Sequence, residues 1–417
     1  MSGEERSEVD SGLGLESGSE SESESESSPE LAVGADAFVE QGAGHSVAVV
    51  GAGALGATAA YDLARQGADV TLYERGTVAN ESSGRAAGVC YDAFAGPVDA
   101  EIASDAIERF RALSGDETFP FVECPYVWLA REGDEQRADA IRGQLERMQA
   151  QGVVALEMTA DELAERFPAL QSDDVAVAGV AGGAGYTDPG QYTACLAAAA
   201  TGAGATLETE TPVSIETDPT RIVRDDGTTE AYDAVLVTAG AHTKRLLADA
   251  GISIALKPYR VQALVASGDH PEPMCYDATG GFYLRPHPEG LLAGNGTEEW
   301  EADPDEYDRA ANDDFAPDLL ERVRHRLPDD ADEIELERAW AGLCTATPDR
   351  DPLVGQLAEG LYVATGFQGH GFMRAPAIGQ RIADQILGGE AIDAFDPTRF
   401  DGDEEFDVVE GMVVTDD

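Results

Sequence analysis

The stretch from Ser46 to Glu74 constrains this 417-residue chain more than any other. A short β-branched run, Ser46 to Val50, leads straight into Gly51-Ala52-Gly53-Ala54-Leu55-Gly56. A small-residue helical stretch follows, ending near Gly67, and a second run, Asp69 to Tyr73, delivers Glu74. Strand, glycine turn, helix, strand and acid in that register predict a dinucleotide-binding βαβ unit. Gly51 permits the tight turn, Gly53 lets backbone approach a pyrophosphate, and Gly56 allows helix and strand to pack closely. The helix start at Ala54 and Leu55 then faces the phosphates, while Glu74, followed by Arg75, accepts bonds from ribose hydroxyls. A glycine turn without a ligand is the competing reading, and the intact register argues against it.

The length suits two domains, each burying its own core. Short apolar runs alternate with helical stretches, which predicts an α/β protein: a Rossmann-like domain with an inserted antiparallel-sheet substrate domain. Residues 44–95, 175–256 and 336–396 are assigned to the cofactor-binding domain, and 96–174 and 257–335 to the substrate domain. The first 43 residues, with a Ser-Glu alternation from Gly18 to Ser28, read as a disordered acidic tail, and 397–417 as a second one that frays.

Asp and Glu number 81 against 27 Lys and Arg, a formal net charge of -54, and the only lysines are Lys244 and Lys257. That balance resembles proteins of salt-loving archaea, in which molar salt, with a Debye length of about 3 Å, screens self-repulsion. It disfavours nucleic acid as a partner, because phosphate contacts need a basic stripe. The five cysteines are scattered singly, so neither a metal site nor a disulfide framework is expected. The acidic start and the lack of an apolar run near 20 residues point to a cytoplasmic protein with no membrane span.

Three later stretches carry a family resemblance. Tyr232 to Ala241 resembles the second cofactor-proximal strand of two-dinucleotide-type flavoproteins. Ser82-Ser83-Gly84-Arg85-Ala86-Ala87-Gly88 is similar to the loop that crosses the flavin in the D-amino acid oxidase, glycine oxidase and sarcosine oxidase superfamily. Trp340 to Asp349 and Gly366 to Phe372 are similar to that superfamily's final motifs. From about residue 45 to 390 the chain is identified as a member, nearest in character to the sarcosine and dimethylglycine oxidase or dehydrogenase branch.

The resemblance implies one FAD and a small amine or amino-acid substrate. Hydride leaves the carbon beside the amine nitrogen for flavin N5, and the resulting imine hydrolyses. It implies cofactor contacts from Ser82, Ser83, Gly84, Arg85, Ala86 and Ala87, from Val213, Ala239 and Gly240, and from Gly342, Gly369, His370, Gly371, Phe372 and Met373. The helix that begins near Gly371 aims its N-terminal amides at the flavin N1 and O2 edge, which gains negative charge on reduction. His370 stands near the flavin, as a catalytic group or as a cap on a turn.

Arg285, in Gly281 to Pro286, is a candidate to pair with a substrate carboxylate, and Tyr283 shares its strand face. A surface salt bridge is the alternative for Arg285. Arg374 is a second candidate cation, and Arg260 matches a recurring motif with a structural role. Cys344 lines the pocket or merely packs.

The chain departs from the monomeric sarcosine oxidases at three places. Gly342 stands where they attach FAD through cysteine, so a non-covalent cofactor is expected. Met373 stands where they place a carboxylate-binding lysine, and Leu292 near an oxygen-activating one. Those departures favour a larger or N-methylated amine and an acceptor other than oxygen. Two rival functions remain: a same-fold FAD dehydrogenase of a hydroxy acid or polyol, and an electron-passing flavoprotein subunit.

Overall fold

The computed structural model describes residues 41–115, 118–295, 297–328 and 333–409. The expected acidic tail at 1–43 lies almost wholly outside the described residues, as does the end of the one at 397–417.

Two sheets carry the architecture. The first has six strands in the order Leu353–Ala358, Leu361–Thr365, Ala234–Val237, Ser46–Val50, Asp69–Tyr73, Thr206–Glu208. All its pairings are parallel except the hairpin between Leu353–Ala358 and Leu361–Thr365. Ser46–Val50 sits centrally because both faces are covered, and Val47, Ala48 and Val49 are fully buried. Helix Ala54–Arg65 packs against helices Pro189–Gly202 and Gly371–Ile386 through small residues. At Gly379 an added Cβ would come within 2.6 Å of the Thr58 side chain, so these helices meet almost backbone to backbone. The three cofactor-proximal segments that lie far apart in sequence therefore converge in one sheet.

The second sheet has eight strands in the order Leu336–Ala346, Lys257–Ala266, Gly290–Asn295, Phe282–His287, Met274–Asp277, Tyr126–Arg131, Val175–Ala181, Ala155–Met158. Its pairings are antiparallel apart from Met274–Asp277 beside Tyr126–Arg131. Helix Phe315–Arg326 buries Phe315, Leu319, Leu320 and Val323 in a core with Leu264, Leu284 and Leu291. Beside it lies a buried ionic cluster: Asp277 accepts from Arg131 Nη2 at 2.8 Å and from Arg326 Nη2 at 2.6 Å, and Arg326 also pairs with Asp174.

Three domain boundaries differ from expectation. Val175–Ala181 and Leu336–Ala346 belong to the eight-stranded sheet, because their backbones pair with Tyr126–Arg131 and Lys257–Ala266. Helix Pro97–Leu113 packs on Gly371–Ile386, and Arg109 pairs with Asp62 of the first helix at 2.8 Å, which joins it to the six-stranded layer. Nor do residues 397–409 fray. Val408 is buried in a cluster with Tyr259 and Ala346, with Phe406 packed against it. Among the described residues no helix is long and apolar enough to cross a membrane.

Candidate functional site

The cavity grows from the point where the central parallel strands end. Gly51 has φ +111°, a value that glycine adopts at little cost, and an added Cβ would lie 2.7 Å from the Thr238 carbonyl oxygen. At Gly56 an added Cβ would lie 1.9 Å from the Gly51 oxygen, so helix Ala54–Arg65 can start this close to the sheet only with glycine there. The freed amide of Ala54 donates to Ser83 Oγ at 2.9 Å, at a helix start suited to anionic oxygen. Glu74 is held by two backbone amides, Ala52 at 2.9 Å and Gly76 at 2.8 Å, and its carboxylate keeps lone pairs for further donors.

Two lobes extend from this point and share Gly53, Ser82, Ser83, Thr238, Gly240 and Ala241 in their walls. The smaller, about 1260 Å³, is lined by Gly51, Glu74, Arg75, Val213 and Ala239, and by His242, Arg245 and Asp305. The larger, about 1670 Å³, passes Ala54, Leu55, Arg85, Ala86 and Ala87 to the turn Gly369-His370-Gly371-Phe372-Met373 and the face of the eight-stranded sheet. Both volumes include space open to solvent, and laid end to end the two lobes suit an elongated dinucleotide. Two buried acceptors beside the larger lobe, Gln368 Oε1 and Asn295 Oδ1, have no donor among the described residues. A carboxylate at one end, helix-start amides in the middle, and a second helix start at the other end fit FAD. Glu74 would hold the ribose, Gly53 and Ala54 the pyrophosphate, and Gly369 to Met373 the flavin.

Most of the residues singled out in the sequence fall on these walls. Gly56 and Gly84 do not; Gly56 lies in the first turn of the first helix, against the Gly51 oxygen, and a Cβ at Gly84 would lie 2.3 Å from the Ala79 oxygen, so both glycines shape the wall from behind. Gly342 lines the larger lobe against the Arg85 side chain, and Cys344 lines it two residues on. Burial pushes the Cys344 thiol up to about 11, so it stands there as a neutral thiol. Tyr283 lines the same lobe.

The two candidate carboxylate anchors stand elsewhere. Arg285 is buried, but away from the cavity surface. It donates to the Ala87 carbonyl at 2.5 Å and the Pro286 carbonyl at 2.6 Å, and lies over the Tyr186 ring at 4.8 Å. Neither a carboxylate anchor nor a surface ion pair describes it; it supports the flavin-crossing loop from below. Arg374 pairs with Asp99 at 2.9 Å and lies over Phe94, joining helices Pro97–Leu113 and Gly371–Ile386. Arg260 is buried among Glu298, Asn312 and the carbonyls of Asp308 and Ala310, a structural arrangement.

His370 is the N-cap of helix Gly371–Ile386, and its Nε2 lies 3.1 Å from the Tyr91 hydroxyl. Desolvation, aided by Arg374, lowers its pKa to about 3, and desolvation raises that of Tyr91 to about 12. The pair is therefore neutral across the physiological range. Tyr91 stacks on Tyr126 at 4.3 Å, and Phe94 meets His370 edge-on.

Sequence reasoning passed over Tyr91, Tyr126, Tyr259, Gln262, Asn295 and Trp340, all of which line the larger lobe. Strand alternation held part of the signal, since Trp340, Gly342 and Cys344 repeat at period two on one strand. His242, Arg245 and Asp305 in the smaller lobe carried no such signal, because a loop brings them together.

Comparison with known proteins agrees with this geometry. The model of the family described as FAD dependent oxidoreductase matches residues 46–385. Glycine oxidase of Geobacillus kaustophilus (strain HTA426) is 29% identical over 359 residues, covering 82% of this chain and 93% of that protein. The mitochondrial dimethylglycine dehydrogenase of Mus musculus is 26% identical over 383 residues, and the match spans 84% of this chain but only 44% of that longer protein. Among solved structures, L-proline dehydrogenase from P. horikoshii superposes with a TM-score of 0.77 at 26% identity, over 85% of this chain and 97% of that one. The glycine oxidase structure from Geobacillus kaustophilus gives a TM-score of 0.76 at 26% identity, over 85% and 99%. This chain belongs to the FAD dependent oxidoreductase (DAO) family and is an enzyme of that family with FAD as its cofactor.

Proposed function

We propose that the protein oxidises the C–N bond of an amino acid or N-methylated amino acid of sarcosine-like size. The observation that carries this reading is the chemistry of the larger lobe. Its wall holds tyrosines, the unpartnered acceptors of Asn295 and Gln368, and a single charged side chain, Arg85. The aromatic wall suits a small amine and its N-methyl groups. A phosphate-bearing substrate would need several cations, and Arg85 alone lines this lobe, which disfavours a glycerol-phosphate type of substrate. Relatives named for glycine, dimethylglycine and proline support an amine.

Bound FAD supplies hydride acceptance at N5, which converts the C–N bond to an imine that water hydrolyses. The chain's own residues bind and orient. Tyr91 and Tyr126 exclude water from one side, and the neutral amides of Asn295 and Gln368 back other parts of the wall. His370, neutral and bonded to Tyr91, fixes that wall without carrying a second ring proton at neutral pH. Arg85, whose guanidinium donates to the Asn80 carbonyl and pairs with Glu81 at 3.4 Å, is the cation on this wall that a substrate carboxylate would share. Gly342, on the wall of the larger lobe, leaves no thiol at its position, in keeping with a non-covalent cofactor.

An anaerobic visible spectrum tests the reading, with sarcosine, dimethylglycine, proline, D-alanine and glycerol 3-phosphate added separately to the FAD-loaded protein. Bleaching by one of the amines is expected. Bleaching only by glycerol 3-phosphate would transfer the assignment to polyol oxidation, and a flavin that none of them reduces would favour an electron-passing subunit.

A further inference from the structure

We propose that Asp305 is a positioning residue of the cofactor site, gathering Arg75, His242 and Arg245 at the rim of the smaller lobe and fixing an acidic loop as its outer wall. Asp305 Oδ1 lies 3.2 Å from Arg75 Nη1 and 3.1 Å from His242 Nε2, and Oδ2 lies 2.6 Å from Arg245 Nη1. All four side chains line the lobe that also contains Glu74. Arg75 follows the second strand of the glycine-turn unit, and Arg245 sits on helix Thr243–Asp249, so one carboxylate joins two separate cofactor-proximal segments.

The carboxylate comes from the other half of the molecule. It sits in the loop 297–314, where nine of eighteen residues are Asp or Glu. Left to itself such a stretch repels itself and solvates. Here cations hold it at both ends. Arg260, buried beneath the loop, donates to Glu298, Asn312 and the Asp308 and Ala310 carbonyls. Toward the cofactor domain, Lys244 pairs with Glu301 and Arg309 with Glu81, at either side of Asp305. The loop thus bridges the eight-stranded sheet to the edge of the dinucleotide cavity, with Asp305 at the crossing point.

The arrangement matters for an anionic cofactor in a chain of net charge -54. A pyrophosphate entering beside this lobe meets Arg75 and Arg245 held in place by Asp305, the two cations on a wall whose other charged groups, Glu74, Glu81, Asp249 and Asp305, are carboxylates, so their orientation decides whether an anion meets a cation or an acid. Without the carboxylate Arg245 loses its ion pair and Arg75 keeps only Glu81 at 3.5 Å, so both guanidinium groups regain rotamer freedom, while Lys244–Glu301, Arg309–Glu81 and Arg260–Glu298 still hold the loop.

The test uses the whole chain and no substrate, so its outcome is independent of the amine-oxidation reading. Asp305→Asn is compared with wild type, with Arg245→Gln, with the double variant, and with Glu306→Gln, a neighbouring loop acid in no ion pair among the described residues. FAD affinity is read by titrating apoprotein and following flavin fluorescence, and apoprotein melting is read in parallel. Asp305→Asn is expected to weaken FAD about tenfold, with apoprotein melting and Glu306→Gln close to wild type. Asp305→Glu should recover part of the loss, and the double variant should be no worse than about the poorer single one, since both changes break one contact. Wild-type or tighter FAD affinity in Asp305→Asn overturns the proposal, as does a loss in the double variant equal to the product of two independent effects. A parallel fall in apoprotein melting would make Asp305 merely structural.

Discussion

The two lobes of the cavity solve opposite problems. The smaller is walled by charge, with Glu74, Arg75, Glu81, Arg245, Asp249 and Asp305 on its surface, and it would hold the invariant adenosine end of the cofactor. The larger is walled by tyrosines, amides and small residues around a single arginine. Ion pairs at a half-exposed rim hold a ligand that stays. Neutral groups around the larger lobe disfavour stray charge and leave hydrogen bonds made there without competing ions, as a site of reaction needs. The supporting structures differ in the same way. The smaller lobe depends on backbone approach at glycines, and the larger on side-chain networks behind its sheet.

The sharpest way to break this comparison is Gly56→Val. With the Cβ placed 1.9 Å from the Gly51 oxygen, the first helix must move off the sheet and carry the pyrophosphate amides with it. Complete loss of FAD absorbance from the purified protein is expected. Retained flavin would mean that the glycine turn is not what holds the cofactor.

On the other side, Asp277→Ala removes one of the two carboxylates that hold fully buried Arg326 and its neighbour Arg131, leaving Asp174 alone. Because Asp174 remains, the loss should stay below the roughly 3–5 kcal/mol of an uncompensated buried charge, to be read from urea unfolding. Because the strand Met274–Asp277 also supplies Met274 and Cys275 to the larger lobe, substrate-induced bleaching should suffer more than FAD affinity. Equal damage to both would erase the distinction between the lobes.

The same division governs what could be read before any coordinates. Strand, turn, helix and acid from Ser46 to Glu74 are contiguous, so local spacing alone located the dinucleotide unit, and motif likeness placed Ala239, Gly240 and Gly369 to Met373 on the cavity wall. The substrate side was barely legible. Arg285 and Tyr283 share a strand face, yet Tyr283 reaches the cavity while Arg285 is held by carbonyls behind it. Alternation gives a face and says nothing about depth. Asn295 and Asp305 were invisible for another reason: their neighbours come from strands and loops tens to hundreds of residues away. The boundaries at 175 and 336 misled because strand pairing, not proximity in sequence, decides which sheet a strand joins.

A smaller effect is expected from pH. His370 is held at about 3 against an ordinary 6.5, so the folded protein keeps it neutral where the unfolded chain would protonate it. Its contribution is complete above about pH 6.5 and is lost as pH falls from there toward 3. The loss is at most about 2 kcal/mol by pH 5, discounted for partial exposure. His370→Gln should flatten that part of the melting profile while leaving rates between pH 7 and 9 without a histidine ionisation. An inflection near pH 6.5 in the wild-type rate that His370→Gln removes would show that His370 titrates in the larger lobe, which would then not be a neutral wall.

The smallest effect concerns the C-terminal segment, where an acidic composition hid two apolar anchors. Val408 is buried against Tyr259, the Phe406 ring lies 4.6 Å from Lys257 Nζ, and Gln368 Nε2 donates to the Val409 carbonyl. Gln368 also lines the larger lobe, and its amide oxygen is one of the two open acceptors, so the last described residues set the orientation of a cavity group. Ending the chain after Glu405 removes the burial of one valine and part of one phenylalanine, about 2 kcal/mol, and should lower melting by a few degrees. It also frees Gln368 to rotate, so the amine concentration needed for half-bleaching should rise severalfold while FAD affinity holds. If melting falls and half-bleaching does not move, the segment is only a clasp on the outside of the sheet, and the acceptor at Gln368 is fixed by its own turn between Thr345 and His370.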